Sequence, residues 1–236
     1  MVILNVSRET FKTMITDIKI CTFLTHVCYT KNMMKFCECF TGSIINNMAQ
    51  HEVIQQYVEH LIKWNKYINL VQHDTLNDVY GRHIADCMQI NKFLTKEDYI
   101  IDVGSGAGLP GVVLSILGYK NVILCEKSYK KCIFLQEIKS RLKLDYAIFN
   151  GDIFGYQVPE QKLTSAVLVS RAFGSLKKLL SVMDCLHVSR GTFHKGKTYN
   201  NEIEEARLAY QFECKIAPSE IVSDSVILNV SGVRRK

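Results

Sequence analysis

The sequence predicts an α/β fold in which a mostly parallel, seven-stranded sheet carries helices on both faces and follows a helical segment. Short apolar runs alternate with helical stretches from Tyr99 onwards, and strands that alternate with helices form parallel sheets covered on both faces. Before Tyr99, apolar residues between positions 53 and 68 recur at the three- and four-residue spacing of one helical face.

The helical segment is predicted to span residues 48–95 and to contain two helices. A second helix is predicted from Thr75, which forms a capping-box-like start with Asp78, to Phe93. Residues 1–47 show only weak helical periodicity and are interpreted as an N-terminal extension of uncertain order, with Met48 as an alternative start. The apolar face of the first helix consists of Val53, Tyr57, Leu61, Trp64 and Ile68.

Residues 96–236 are predicted to form the α/β domain. The last two of its strands have no helix between them, so they are predicted to pair as an antiparallel hairpin at the sheet edge. The seven predicted strands are Tyr99–Val103, Asn121–Cys125, Ala147–Asn150, Ala166–Ser170, Gly191–His194, Cys214–Ala217 and Val226–Val230. The predicted helices between them are Leu109–Leu117, Tyr129–Leu142, Leu176–His187 and Asn201–Gln211.

Composition and charge restrict the class of protein only loosely. The chain is 47% hydrophobic and 22% charged, as in ordinary globular proteins, and its net charge of +6 permits a nucleic-acid partner without requiring one. Apolar runs fall short of the ~18 residues of a membrane helix, so no membrane association is expected. Nine cysteines are scattered without C-x-x-C pairs, which favours reduced thiols, a cytoplasmic location and no metal site.

A glycine-rich loop after the first strand is the strongest motif. It has the sequence Gly-Ser-Gly-Ala-Gly from Gly104 to Gly108, two residues after Asp102. Glycines allow the chain to turn sharply off a strand and to approach a ligand closely. About twenty residues further on, Glu126 ends the next strand, where nucleotide-binding α/β folds place the carboxylate that binds ribose hydroxyls.

Two cofactors compete for this loop. A dinucleotide-binding loop usually has the pattern G-x-G-x-x-G and holds a pyrophosphate at the helix N-terminus. This loop has the pattern G-x-G-x-G and an acidic residue, Asp102, before it. S-adenosylmethionine carries no phosphate but has an ammonium and a sulfonium group, so a nearby carboxylate suits it. The sequence therefore favours S-adenosylmethionine over NAD.

Four further motifs, in order along the chain, carry a resemblance to a known family. They are W-N-K-Y-I-N-L at 64–70, R-H-I-A-D at 82–86, G-L-P-G at 108–111 and S-R-A-F at 170–173. From Met48 onwards the chain resembles the bacterial 16S rRNA guanine-N7 methyltransferases, also called the glucose-inhibited division protein B family. The resemblance implies a class I, Rossmann-like methyltransferase fold, S-adenosylmethionine as the cofactor, and 16S rRNA or the small ribosomal subunit as the partner.

The loop and the resemblance together give the expected site. Asp152 and Ile153 would flank the adenine, although the family usually carries its acid one position later. Arg171 and Lys195 are the catalytic candidates, and Arg171 would lie where cofactor and substrate meet. The expected cofactor-binding residues are Asp102, Gly104, Ser105, Gly106, Gly108, Leu109, Glu126, Asp152, Ile153 and Arg171.

Motifs that the chain lacks narrow the target atom. Exocyclic-amine methyltransferases commonly carry a Pro-Pro-aromatic loop where S-R-A-F stands, and no proline precedes a cysteine as in cytosine C5 enzymes. Guanine N7 has a free lone pair and loses no proton, so alignment alone can carry its methylation. A cation could then hold the neighbouring O6, with Arg171 as first candidate and Lys195 as second.

Several alternatives stay open at this point. Arg171 could instead order its loop through an ion pair with Asp102 or Asp152. In the R-H-x-x-D motif, Arg82 could pair with Asp86 along a helix, or Arg82 or His83 could face the substrate. The chain could also methylate a small molecule or a protein, or be a catalytically silent RNA-binding assembly factor. A monomer is expected, because nothing in the sequence demands more.

Overall fold

The computed structural model describes residues 48–236, and the predicted extension of residues 1–47 lies outside them. The first helix, α1 (Met48–Asn65), confirms the predicted apolar face. Tyr57 and Leu61 are fully buried. Val53 and Trp64 are half-buried against the same hydrophobic cluster, and so is Ile68, which lies beyond the end of α1 and therefore not on its face.

The second predicted helix, from Thr75 to Phe93, is helical along its whole length but is not one regular α-helix. The predicted capping box is also absent, because Thr75 Oγ1 donates to the Gln72 carbonyl oxygen (2.6 Å) and Asp78 Oδ1 accepts from the Gly81 amide (3.1 Å). The chain forms instead a 3-10 helix His73–Asp78, a π-helix Tyr80–Ala85, a single turn α2 (Asp86–Met88) and a 3-10 helix Gln89–Phe93.

The π-helix determines the direction of the polar side chains within it and directly after it. An inserted π turn changes the direction of the side chains that follow it, and such turns are frequent at functional sites. Here His83 and Asp86 are both buried against the sheet, whereas Arg82 stays exposed to solvent. Tertiary contacts of polar side chains thus override the regular helix that local sequence favours.

The predicted α/β fold is confirmed by a single seven-stranded sheet. Its order is β3-β2-β1-β4-β5-β7-β6; the first five strands are parallel, and β7 runs antiparallel to both of its neighbours. The strands are β1 (Tyr99–Val103), β2 (Val122–Glu126), β3 (Ala147–Asn150), β4 (Ala166–Arg171), β5 (Arg190–Lys195), β6 (Tyr210–Pro218) and β7 (Val226–Arg235). The helices are α3 (Gly111–Ile116), α4 (Tyr129–Leu142), α5 (Leu176–Cys185) and α6 (Tyr199–Ala209).

Two hydrophobic clusters cover the two faces of the sheet. Successive residues of a strand point to opposite faces, and in β1 Ile100 belongs to one cluster while Ile101 belongs to the other. The first cluster packs the sheet against α1, α3 and α4, and the second packs it against α5 and α6. Because both faces are covered, ligands can reach the parallel strands only at their ends.

The order of the strands locates the crevice where a ligand is expected. β1 lies between β2 and β4, so the connections that leave β1 and β4 run to opposite faces of the sheet. In open α/β sheets, ligands bind outside the carboxyl ends of the strands at such a switch point. The glycine-rich loop, Glu126, Arg171 and Lys195 all stand at carboxyl ends.

A substitution at Gly111 tests how tightly the residues beneath this crevice are packed. A Cβ atom at Gly111 would lie 2.2 Å from Leu124 Cδ2 and 2.7 Å from Asp102 Oδ2. We expect Gly111→Ala to lower the free energy of unfolding by about 1–3 kcal/mol through overpacking, as measured by urea denaturation. Gly155→Ala is the control, because a Cβ atom at Gly155 would meet nothing within 4 Å. Equal denaturation midpoints for the two variants would contradict this description of the packing.

Candidate functional site

The glycine-rich loop turns back over the end of β2 as soon as it leaves β1. Gly104 and Gly106 adopt φ angles of 68° and 56°, which favour glycine. The Gly104 amide donates to the Cys125 carbonyl oxygen (2.9 Å), and the Gly106 amide donates to Glu126 Oε2 (3.0 Å). The loop and the end of β2 are therefore one connected unit.

Glu126 is held in a fixed orientation by backbone donors. Its second carboxylate oxygen, Oε1, accepts from the Ser128 amide (2.8 Å), so both oxygens are anchored. The residue is only 8% exposed, yet it lines a cleft. A carboxylate oxygen has more than one lone pair, so Glu126 can still accept hydrogen bonds from two ligand hydroxyls.

This first cleft has a volume of about 250 Å³ and lies across the ends of β1 to β4. It brings together four predicted cofactor-binding residues: Gly104, Glu126, Asp152 and Ile153. Sequence reasoning missed the remaining lining residues, which are Cys125, Lys127, Lys131, Gly151, Phe154, Ala172, Phe173 and Lys178.

The other predicted residues of the loop lie behind it. Asp102 is 0% exposed, and its Oδ2 accepts from the Gly111 amide (3.0 Å). Burial raises the pKa of Asp102 to about 7. Ser105 Oγ donates to the Asp102 carbonyl oxygen (2.9 Å), a Cβ at Gly108 would meet Val112, and Leu109 is buried in the core. These residues support the loop, and none of them lines the cleft.

The turn after β3 supplies the opposite side of the first cleft. Asp152 Oδ1 accepts from the Phe154 amide (3.0 Å) and so caps a short 3-10 helix, while Ile153 is buried beneath it. Phe154 is 46% exposed although it is aromatic. The signal that could have identified Phe154 is its position directly after the Asp152-Ile153 pair.

A second cleft of about 310 Å³ opens on the other side of the S-R-A-F segment. Arg171 and Lys195, the predicted catalytic residues, both line this cleft and not the first one. Ala172 and Phe173 line both clefts and form their shared wall. The two clefts therefore adjoin at this segment.

Arg171 binds the R-H-x-x-D motif. Its Nε pairs with Asp86 Oδ2 (3.5 Å), and its Nη2 donates to the Arg82 carbonyl oxygen (3.0 Å) and to His83 Nδ1 (2.7 Å). Asp102 and Asp152, the predicted ion-pair partners of Arg171, are wrong, because Arg171 pairs with the carboxylate of Asp86. The predicted pairing of Arg82 with Asp86 along a helix is also wrong, because Asp86 turns to Arg171 instead.

Comparison with known proteins now identifies the family. The family model described as rRNA small subunit methyltransferase G matches residues 50–224, which is most of the chain. The chain belongs to this family. The family predicted from the four sequence motifs is thereby confirmed.

Two curated relatives agree with this assignment. The ribosomal RNA small subunit methyltransferase G of Rickettsia bellii (strain OSU 85-389) is 34% identical over 190 residues, which cover 78% of this chain and 96% of the relative. That of Rickettsia rickettsii (strain Sheila Smith) is 35% identical over 186 residues, covering 78% and 93%. Among solved structures, the 16S rRNA methylase RmtB matches 84% of this chain and 80% of its own, at 12% identity and a TM-score of 0.48, a likeness too distant to bear on function.

The R-H-x-x-D and S-R-A-F motifs of this methyltransferase G family member form one polar network. Asp86 Oδ1 accepts from the Gln89 amide side chain (3.1 Å), and the Asp86 carbonyl oxygen contacts His194 Nε2 (2.9 Å). The network thus joins the helical segment to the ends of β4 and β5. It docks the segment on the sheet, and it also places exposed Arg82 at the second cleft.

Neither a metal centre nor a membrane-spanning segment is found in the part of the chain that the structure describes. Among residues 48–236, no group of three or more His, Cys, Asp or Glu side chains could hold a metal ion. Across the same residues, the helices are too short or too polar to cross a membrane.

His83 makes the stability of the network depend on pH. Burial, together with Arg171 and Arg82, lowers the pKa of His83 from 6.5 to about 3. Below pH 6.5 the unfolded chain therefore binds a proton that the folded chain refuses. We expect the free energy of unfolding to fall by up to about 1.4 kcal/mol per pH unit from this residue as the pH drops from 6.5 towards 4.

The measurement is urea denaturation of the wild type and of His83→Gln over this pH range. Glutamine can accept from Arg171 but does not titrate, so the wild type should lose more stability than the variant on acidification. The His83 contribution is the difference between the two curves, which cancels the carboxylates and His194. Parallel curves would contradict the prediction.

Proposed function

We propose that this chain transfers the methyl group of S-adenosylmethionine to N7 of a guanine in the 16S rRNA of the small ribosomal subunit, in the cytoplasm. Membership of the methyltransferase G family carries the proposal. The structure supports it with two clefts at the carboxyl edge of the sheet that share one wall. One cleft suits the cofactor, and the other suits the base.

The first cleft fits S-adenosylmethionine. Glu126 would accept hydrogen bonds from the ribose hydroxyls, and Asp152 and Ile153 would lie along the adenine. Gly104 also lines this cleft, where the rest of the cofactor would approach the loop, and its missing side chain leaves room for Phe173. Because Asp102 is fully buried, its role is to hold the loop against α3 and not to meet the ammonium group directly.

The second cleft offers a cation for the guanine edge. Guanine presents O6 and N7 side by side, and N7 must stay free to attack the methyl carbon. Within residues 48–236, Arg171 Nη1 has only the weak acceptor Cys87 Sγ (3.8 Å) as a hydrogen-bond partner. The guanidinium therefore has N–H capacity left to hold O6 while Asp86 and His83 fix its plane.

Positive charge surrounds the openings where an RNA strand would enter. Lys127, Lys131 and Lys178 line the first cleft, and exposed Arg82 lines the second. Neutralising phosphates with such side chains releases counterions and makes binding depend on salt. A polyanionic substrate explains this arrangement better than a small neutral molecule does.

The chemistry needs no general base. The N7 lone pair forms the new bond to the methyl carbon, and the electrons of the breaking bond return to sulfur. The positive charge moves from the sulfonium to the purine, and no proton is released. Holding the two atoms in line at about 3 Å is then the main task, and such alignment can replace several kcal/mol of barrier.

The test is incubation with radiolabelled S-adenosylmethionine and small subunits that lack the modification, with naked 16S rRNA in parallel. Digestion to nucleosides should place the label in 7-methylguanosine from at least one of the two substrates. Label in another nucleoside or on protein would refute the choice of target atom or substrate class. A chain that binds the cofactor but transfers no label would be the silent assembly factor.

A further inference from the structure

The wall between the two clefts has a strained backbone. It is the loop of residues 172–175, which connects β4 to α5. Ala172 adopts a φ angle of 63°, and Gly174 adopts one of 152°. A left-handed conformation costs about 1–2 kcal/mol for a residue that has a Cβ atom. Such a conformation persists only where its surroundings hold it, so the loop must be fastened from outside.

A largely buried ion pair between β5 and α6 holds this loop in place. Lys195 Nζ donates to Glu202 Oε2 (2.7 Å) and also to the carbonyl oxygen of Gly174. The side chains of Lys195 and Glu202 are only 6% and 21% exposed. Glu202 Oε2 accepts in addition from the amide of Leu176, the first residue of α5 (2.7 Å). The pair thus holds the second half of the loop and the start of α5.

The contacts of this pair differ from those expected of a group that binds substrate. The bonds of Lys195 run to Glu202 and Gly174, and in the described residues its ammonium is tied to the protein itself. A buried ion pair adds little net stability, since removing both charges from water offsets much of their attraction. Stability alone therefore explains poorly why a charged pair occupies this position.

We propose that Lys195 and Glu202 are a positioning pair for methyl transfer: they set the place of the wall on which the two clefts meet. The proposal rests on the proposed function, and it replaces the direct contact of Lys195 with guanine O6. Arg171 and Phe173 precede the held residues in the chain, and Phe173 packs against Gly104 of the glycine-rich loop. A shift of the wall by about 1 Å would misalign the methyl carbon and N7, which can cost about 100-fold in rate.

The variants that test this are Glu202→Gln, Lys195→Met and the double variant, with Glu205→Gln on the exposed side of α6 as the matched control. Glutamine keeps the shape of Glu202, so this variant carries the test if Lys195→Met fails to fold. We expect Glu202→Gln to lower the single-turnover rate of methylation by about 10- to 100-fold, with the Kd of S-adenosylmethionine and the KM of the small subunit changed less than about 3-fold.

Non-additivity and hydrogen exchange complete the test. The double variant should be no slower than Lys195→Met alone, because both single changes release the same loop. Amide hydrogen exchange of residues 172–176 should accelerate in Glu202→Gln and not in Glu205→Gln. A wild-type rate of methylation in Glu202→Gln would overturn the proposal and show that the pair has no role in catalysis. A loss of rate in Lys195→Met that is more than about 10-fold larger than in Glu202→Gln would overturn it in favour of direct contact between Lys195 and the substrate.

Failure of the proposed function gives a different result. If the wild type places no label in 7-methylguanosine, the proposed function fails and the catalytic consequence of the pair falls with it. Hydrogen exchange still reports whether the pair holds the loop, because that measurement needs neither substrate nor cofactor.

Discussion

Glu126→Ala is expected to weaken the binding of S-adenosylmethionine by at least about 100-fold. The variant removes the carboxylate that would accept from both ribose hydroxyls, and hydrogen bonds to a charged group contribute about 1.5–3 kcal/mol each. It also leaves the amides of Gly106 and Ser128 without their partner, so the loop loses its anchor. Titration calorimetry of the purified chain measures the effect.

Glu126→Gln is the matched control for this prediction. It preserves the size of the side chain and one acceptor oxygen, but its NH2 group replaces an acceptor for one of the two backbone amides. Its affinity should fall between those of the wild type and of Glu126→Ala. If a folded Glu126→Ala chain bound the cofactor as tightly as the wild type, the first cleft would not be the cofactor site.

Arg171→Ala is expected to lower kcat/KM for methylation of the small subunit by at least about 100-fold. The cofactor should still bind within about 3-fold of wild-type affinity. The guanidinium lines the second cleft and not the first, so the variant would lose the proposed contact to guanine O6, while the residues that line the first cleft are unchanged. Methyl transfer and cofactor binding, measured on the same preparation, give both numbers.

Asp86→Asn is the control that separates the role of Arg171 in catalysis from its role in holding the helical segment against the sheet. Both variants break the Arg171–Asp86 ion pair, but only Arg171→Ala removes the cation. Asp86→Asn should therefore keep much more activity than Arg171→Ala, with a similar loss of thermal stability. Equal loss of activity in the two variants would mean that Arg171 serves only to hold the helical segment against the sheet.

The strands could be predicted from the sequence because their signal is local. Runs such as Tyr99–Val103 are apolar and end at glycine, and the β1 loop with Glu126 has a fixed spacing that specifies its place in the fold. The fifth strand is predicted as Gly191–His194, and pairing with β4 and β7 extends it by one residue at each end, to Arg190–Lys195. Long-range pairing of this kind is not encoded in the strand itself.

The site was predictable in its positions along the chain but not in the directions of its side chains. A motif shows that Ser105, Gly108 and Leu109 belong to the loop, yet only packing decides that they support it from behind. Arg171 and Asp86 are 85 positions apart by their numbers, and nothing local links them. The same holds for Phe173 over Gly104, which emerges only when two loops meet in the fold.

The measurement that tests the central claim most directly is the pH dependence of single-turnover methylation with cofactor and subunit saturating. Transfer to N7 releases no proton, so alignment without a general base predicts a rate that stays level from about pH 7.5 to 9. This range lies above the pKa of Asp102, near 7, and far above that of His83. A rate that rises tenfold per pH unit and then levels at a single pKa would reveal a base that must lose its proton, and would contradict the account.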